Sequence, residues 1–402
     1  MSFILIAVLI DMVAIGLIVP VLPHLVGLFT DGNDEQARWF TIITFTFGAA
    51  NFVASPLLGA LSDRYGRRPV LLLGFTGLAF SFIVTGLATA LWMLVAVRLV
   101  SGALQANAAI ANAYVADIST PEQRAQRMGQ VGAMFGIGFI LGPVAGGLLG
   151  AIDVRLPFFA AGTLAILNGL YGFFVLPESL PPERRRPLAW RSAHPLAAMR
   201  TLAANPGIGW LAASIALATL AQFTLHSSWV LYTHFKFGWG PAEVGWSLFA
   251  VGAMSALVQG VLLRHLLKRF SPQRLAVWGL SVGALTYFSF GAVTQGWMMY
   301  VVIVVGTLLG GGAQAAMQSI VSNAADPQRQ GEVMGSLASV NSLMAVIAPA
   351  TAGPLLILIS HRPPGDWLIG LPFYCCAALQ AVSAFIAFRF FHGRRLAAAQ
   401  PV

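Results

Sequence analysis

Charge is what this sequence has least of. Of its 402 residues, only 9% are Asp, Glu, Lys or Arg and 57% are hydrophobic, with a mean hydropathy of +0.78. A soluble globular domain carries about 25% charged and 45–50% apolar residues, so this chain cannot cover itself with a water-facing surface. Cysteine is nearly absent. Cys375 and Cys376 are adjacent in an apolar run, carry no redox-compartment signal, and read as packing residues rather than metal ligands. The chain also lacks a phosphate-cradling loop, a metal-ligand cluster and a nucleophile–base arrangement, so no cofactor, no metal and no enzymatic turnover are expected. The N-terminus has neither a basic leader nor a small-residue cleavage site, and its apolar run contains Asp11. It therefore reads as a retained first helix and not as a signal peptide.

What is there in abundance is apolar length. About 20 predominantly apolar residues make a membrane-spanning helix, and the sequence divides into twelve such stretches: 3–24, 38–60, 70–89, 91–115, 125–150, 156–176, 208–235, 241–266, 275–293, 297–321, 331–360 and 367–391. An all-α integral membrane protein of twelve transmembrane helices follows. The net charge of +9 is no sign of nucleic-acid binding, because the basic residues alternate with the helix hairpins and do not form one face. With the N-terminus in the cytoplasm, eighteen of the 23 basic residues fall in inside breaks, four in outside breaks, and Arg98 within a span. Such a bias fixes the topology with both termini cytoplasmic.

The chain is organised as two halves. Residues 1–176 form an N-terminal six-helix bundle, 177–207 a cytoplasmic linker rich in proline and arginine, 208–391 a C-terminal six-helix bundle and 392–402 a cytoplasmic tail. An internal repeat supports this division. A shift of 206 residues places Pro121 on Pro327, Gly129 on Gly335, Pro143 on Pro349 and Gly147 on Gly353. Two parallel six-helix repeats related by an axis along the membrane normal describe the major facilitator architecture, with the substrate site expected near the midplane between them.

Asp11 is the acidic residue deepest in a span, about 12 Å along the first helix. A charge at the bilayer centre costs at least ~2.5–3.5 kcal/mol on insertion scales, so such a residue faces a cavity, pairs with a base or is protonated. Arg98 is the basic counterpart in the fourth span. Its guanidinium stays charged, so it cannot be the titrating group but can tune a nearby carboxylate. If the two share a cavity, proton uptake at Asp11 is linked to their attraction. Gating is expected at Gly59, Asp63, Arg64, Gly66, Arg67 and Arg68 of the short loop GALSDRYGRR. It is expected also at Gly138, Gly142, Pro143, Gly146 and Gly147 of the fifth span, where glycines admit close helix approach and the proline bends the helix. The polar residues Asn51, Gln105, Asn107, Asn112, Gln222, His226, Gln259, Gln314, Gln318 and Asn341 suit hydrogen bonding to a ligand of little net charge, and each serves equally as interhelical glue. Trp92, Trp229, Trp239, Trp297 and Trp367 read as interfacial anchors, with Trp229 deep enough to serve also as a cavity wall.

These residues resemble the tetracycline/proton antiporters of the major facilitator superfamily along nearly the whole chain. The likeness rests on DMVAIGLIVPVLP at Asp11 to Pro23, GALSDRYGRRPVLLLG at Gly59 to Gly74 and RLVSG at Arg98 to Gly102. It continues through GIGFILGPVAGG at Gly136 to Gly147, FGW at Phe237 to Trp239 and LGGG at Leu309 to Gly312. The resemblance implies that Asp11 and Arg98 serve proton coupling, that Asp63 meets the N-terminus of the eleventh helix in the closed state, and that Arg67 pairs with Asp117. It also places Gln259 and Asn51 in the drug cavity. Where the family has intramembrane aspartates in its third and ninth helices, this chain has Ser81 and Gly283, and Ser255 stands in place of an eighth-helix histidine.

The expected function is proton-coupled antiport, exporting drug-like small molecules, tetracycline-like ones among them, from the cytoplasm across a bacterial inner membrane. A proton gradient supplies the energy and a monomer is the expected unit, with no nucleic-acid partner. An uptake symporter of the same fold would use Asp11 equally well, but the motif around Pro143 favours the antiporter. A membrane-embedded enzyme or receptor lacks both catalytic clusters and a soluble domain.

Overall fold

The computed structural model describes residues 1–185, 206–324, 330–363 and 365–399. Most of the linker (186–205) and the end of the tail therefore lie outside the described residues, as do the side chains at 322–334, where the eleventh span begins. Among the described residues the secondary structure is entirely helical. Eleven helices there are long and apolar enough to cross a membrane. A further helix, Pro206–Phe237, has 32 residues. At that length it can serve as the remaining span.

Two compact units emerge: Met1–Ala193 with Gly238–Gly252, and His194–Phe237 with Ala253–Val402. In the first, the core gathers Ile4, Val8, Leu71, Phe75, Ile110 and Tyr114 from three helices. In the second it is built on Leu211, Leu275, Leu280, Met317, Val340 and Ala387.

Local chemistry sets the helix ends. Proline opens the helices Pro121–Ile152, Leu156–Val175 and Pro272–Ala292 at their first or second position, where its missing N–H would have had no partner. Ser271 caps the last of these by accepting from the Arg274 N–H at 3.4 Å. Gly66 separates Asn33–Tyr65 from Arg67–Gly86 at φ 108°, ψ 158°, a backbone region essentially reserved for glycine.

The fourth span departs from the continuous 91–115 helix expected from the sequence. It consists of Leu91–Leu104 and Asn107–Asp117, with Gln105 and Ala106 outside helical geometry. The tenth is broken in the same way, into Gly296–Gly310 and Ala313–Ala324. The offset of 206 carries the first break onto the second, residue for residue. The eighth span is interrupted too, by a π-helical turn at Val258–Leu262.

Candidate functional site

Asp11 sits mid-helix in Ser2–Ile18 and is 3% exposed. Its carboxyl Oδ1 accepts from Asn107 Nδ2 at 3.1 Å, and no cation among the described residues lies within ion-pair distance. Asn107 begins the second half of the broken fourth span. It fits because residue 74 is glycine: a Cβ there would collide with the Asn107 side chain. The carbonyl of Ala7, which accepts the Asp11 N–H in regular i→i−4 helix geometry, also accepts from Asn168 Nδ2 at 2.9 Å. Two asparagines from two helices thus fix the backbone and the side chain of the acid. A cavity of about 10 Å³ beside the pair is lined by Asp11, Asn107 and apolar side chains including Val8, Leu71 and Phe75.

Arg98 is not among the residues that line this site, so the condition of a shared cavity is not met here. It is 7% exposed, with its guanidinium 6.0 Å from the centre of the Phe47 ring, and it does not line the cavity at Asp11. Its Nε and Nη2 atoms are buried without a hydrogen-bond partner among the described residues.

The helix break is held by Asn51. Its amide donates to the carbonyls of Gly102, at 3.4 Å, and Gln105. The Gly102 carbonyl keeps the Gln105 N–H at 3.4 Å as a second donor, whereas the Gln105 carbonyl loses its helical partner at the break, where an unpaired carbonyl is costly. Asn51, expected to contact substrate, thus has its donor nitrogen engaged with backbone.

The loop after the second span forms a connected ionic cluster. Arg67 reaches Asp63 at 2.6 Å and Asp117 at 3.0 Å, and its Nη1 donates to Ser62 Oγ at 2.7 Å. Ser179 Oγ donates to the same Asp117 oxygen at 3.3 Å. Glu178 completes the cluster. Its carboxylate accepts from the backbone N–H groups of Arg67 at 2.8 Å and Arg68 at 3.2 Å, so it caps the N-terminus of Arg67–Gly86, where a negative charge is favoured. Arg68 donates to the Phe173 carbonyl and stacks over the Phe173 ring; Arg64 lies over Tyr65. Nothing crowds a Cβ at Gly59, so its part is confined to its carbonyl, which accepts from Ser62 Oγ at 2.8 Å. Glu178 carried one sequence signal that went unused: an acid at the end of the sixth span, in a chain with few acids.

In the fifth span the glycines sort onto two faces. Gly138, Gly142 and Gly146 lie against Met12, Gly16 and Leu17 of the first helix, and a Cβ at Gly142 would stand 2.6 Å from Gly16 Cα. Gly147 and Pro143 face the start of the eighth span, where a Cβ at Gly147 would stand 2.5 Å from Pro241 O and one at Gly245 2.6 Å from Pro143 O. Contacts this close need residues without side chains.

In the second unit, Thr219 Oγ1 donates to Asn341 Oδ1 at 3.2 Å, and Gln222 is half-buried. His226, Gln259 and Gln318 are exposed, Gln259 within the π-helical turn. Trp229 is not a cavity wall. It is 4% exposed and stacks edge-on with Phe290 at 5.2 Å and Phe373 at 6.0 Å, as a core residue does. Trp239, expected at the interface, is buried as well, whereas Trp92, Trp297 and Trp367 are exposed. Ser81 is buried, and its hydroxyl oxygen has no partner among the described residues. Gly283 is closed off by Gln380, whose Nε2 would lie 2.8 Å from a Cβ there. Among the described residues, no group of three or more His, Cys, Asp or Glu is placed to hold a metal.

Comparison with known proteins follows the same lines. Residues 4–349 match the model of the Major Facilitator Superfamily. The chain is 35% identical over 380 residues to the class C tetracycline resistance protein of Escherichia coli, covering 92% of this chain and 93% of that one. It is 36% identical over 380 residues to the class D tetracycline resistance protein of Salmonella ordonez, covering 91% and 92%. Among solved structures, the human organic anion transporter MFSD10 superposes with a TM-score of 0.69 at 25% identity, covering 96% of this chain and 98% of that one.

Proposed function

The chain belongs to the Major Facilitator Superfamily, a family of multi-pass membrane transporters, and from that premise we propose that it exports drug-like small molecules from the bacterial cytoplasm in exchange for protons. The observation that carries this reading is Asp11: a lone carboxyl, 3% exposed, bound by a neutral amide and by no cation among the described residues. Apolar surroundings penalise the charged form by several kcal/mol, so proton binding and release there is a large energetic event for the first span. That span lies against Gly138, Gly142 and Gly146 with almost no intervening side chain, which suits a surface that repacks between states. A proton drives transport only if it has different affinities for the inward- and outward-open states, and this contact supplies a place for that difference to arise.

The relatives named for tetracycline resistance support export as the direction. The substrate itself is read from what the membrane interior lacks. Ser81 and Gly283 occupy positions where the resemblance implies aspartates, and Gln380 fills the space at the second. A metal–tetracycline cation would find two fewer compensating charges, so the preferred cargo carries little net charge.

The test uses everted membrane vesicles with a preformed proton gradient. Tetracycline with magnesium, and a panel of uncharged and weakly basic drugs, are added in turn. Dissipation of the gradient by members of the panel, abolished by Asp11→Asn at equal membrane abundance, is the expected result. Gradient-driven movement of the opposite sense would make the protein an uptake symporter. Undiminished export by Asp11→Asn would remove the proton assignment.

A further inference from the structure

The Asn107 side chain uses one of its two polar atoms on Asp11. Its Nδ2 donates to the carboxyl, while its own Oδ1 is buried without a partner among the described residues. An ionised carboxylate only accepts, so it can use the N–H of the amide and never the carbonyl. A protonated carboxyl is different, because its O–H donates. An acid and a primary amide then close a ring of two hydrogen bonds, N–H to Oδ1 of the acid and O–H to Oδ1 of the amide. The orphaned oxygen is the acceptor that the protonated acid needs.

We propose that Asn107 is the positioning residue for the proton on Asp11. It pairs with the ionised carboxylate through one hydrogen bond and with the acid through two, so the amide reports and holds the proton. The inference rests on the proposed proton coupling at Asp11. In the step itself a hydronium ion gives its proton to carboxylate Oδ2; an O–H bond of the hydronium breaks, an O–H bond forms on the carboxyl, and water is released. The adjacent cavity of about 10 Å³ has the room of one water molecule, enough to deliver the proton and leave.

The surroundings make this amide the decisive partner. The helices packed against Asp11 present Leu71 and Phe75 from the third span, Ala108 and Ala111 from the fourth, and Phe135 from the fifth. Asn168 of the sixth is spent on the Ala7 carbonyl. Tyr114 turns its hydroxyl to Pro177 O at 2.9 Å, and Arg98 lies over Phe47. Among the residues lining the cavity, Asp11 alone ionises. Gly74 holds the amide in place, since any side chain there would meet Asn107. Sequence and structure together therefore specify three residues for one proton: Asp11, Asn107 and Gly74.

The experiment is infrared spectroscopy of the full-length protein in proteoliposomes, recorded from alkaline to acid pH, with protons as the only ligand. Asp11→Asn identifies the carboxyl C=O band that grows on acidification. In Asn107→Leu that band moves to higher frequency, because the acid loses both partners. Gly74→Ala, which leaves Asn107 in the chain but displaces its amide, produces the same upward movement. Asn107→Ser keeps a hydroxyl able to accept the acid proton and holds the band near its original position. An unchanged frequency in both Asn107→Leu and Gly74→Ala overturns the pairing while leaving proton coupling at Asp11 intact. Loss of no band in Asp11→Asn overturns the coupling itself, and the pairing with it.

Discussion

Gly66 and Glu178 offer a test of how the loop is built, because each constrains the other. Gly66 has φ 108° and ψ 158°, a conformation costing a residue with a side chain about 1–3 kcal/mol. Its missing Cβ also leaves the space that the Glu178 carboxylate occupies. Gly66→Ala therefore imposes backbone strain and pushes Glu178 off the Arg67 and Arg68 N–H groups. Glu178 is solvent-exposed, so a cap of this kind is worth about 1 kcal/mol. The single substitution should then cost about 2–4 kcal/mol. In a Glu178→Ala background the cap is already gone and only the strain remains, so the added cost of Gly66→Ala should fall by about 1 kcal/mol, a factor of about five in the unfolding equilibrium. SDS-induced unfolding of the four purified proteins in mixed micelles, followed by tryptophan fluorescence, measures the cycle. Additivity within error would show that the carboxylate does not depend on the room beside Gly66. A larger cost in the Glu178→Ala background would refute the reasoning outright.

Three further outcomes are expected. Gly146→Val drives a side chain into the Leu17 backbone and should lower stability by about 1–3 kcal/mol with a larger proportional loss of export, while Gly136→Ala, with open space around it, should be silent in both. Arg67→Ala leaves Asp63 and Asp117 without their shared cation; a loss of about 1–3 kcal/mol, weaker at high salt, should appear in thermal unfolding, with only partial recovery in Arg67→Lys because one ammonium cannot match three separate guanidinium contacts. Asn51→Ala should cost about 1–2 kcal/mol by orphaning the Gln105 carbonyl at the helix break, and should raise amide hydrogen exchange around Gln105 more than elsewhere.

The sequence spoke clearly where one residue's character decides the outcome. Apolar length announced the spans, because backbone in lipid must satisfy its own hydrogen bonds and only a helix of sufficient length does so within one segment. Asp11 stood out because any charge in such a segment is expensive. The pairing of Arg67 with Asp117 followed from the resemblance, and the two side chains are in contact. Trp229 misled for a physical reason: an indole suits an interface, a cavity wall or a core equally well, and only the neighbouring Phe290 and Phe373 choose among them. Glu178 was overlooked because a carboxylate just past a span reads as linker until the helix it caps is folded back beside it.

What the sequence alone determined, then, is solvent and repeat: an apolar chain of membrane-length helices, whose 206-residue offset relates one helix break to the other once the fold shows them. What only the tertiary structure decided is partnership. Position in the chain put Asp11 and Arg98 each within a span, yet the fold joins Asp11 to Asn107, 96 residues away, and turns Arg98 towards Phe47. Partnership depends on helix rotation and on gaps such as the one at Gly74, which arise from the packing of many side chains at once. Depth, in contrast, follows from counting residues along a single helix.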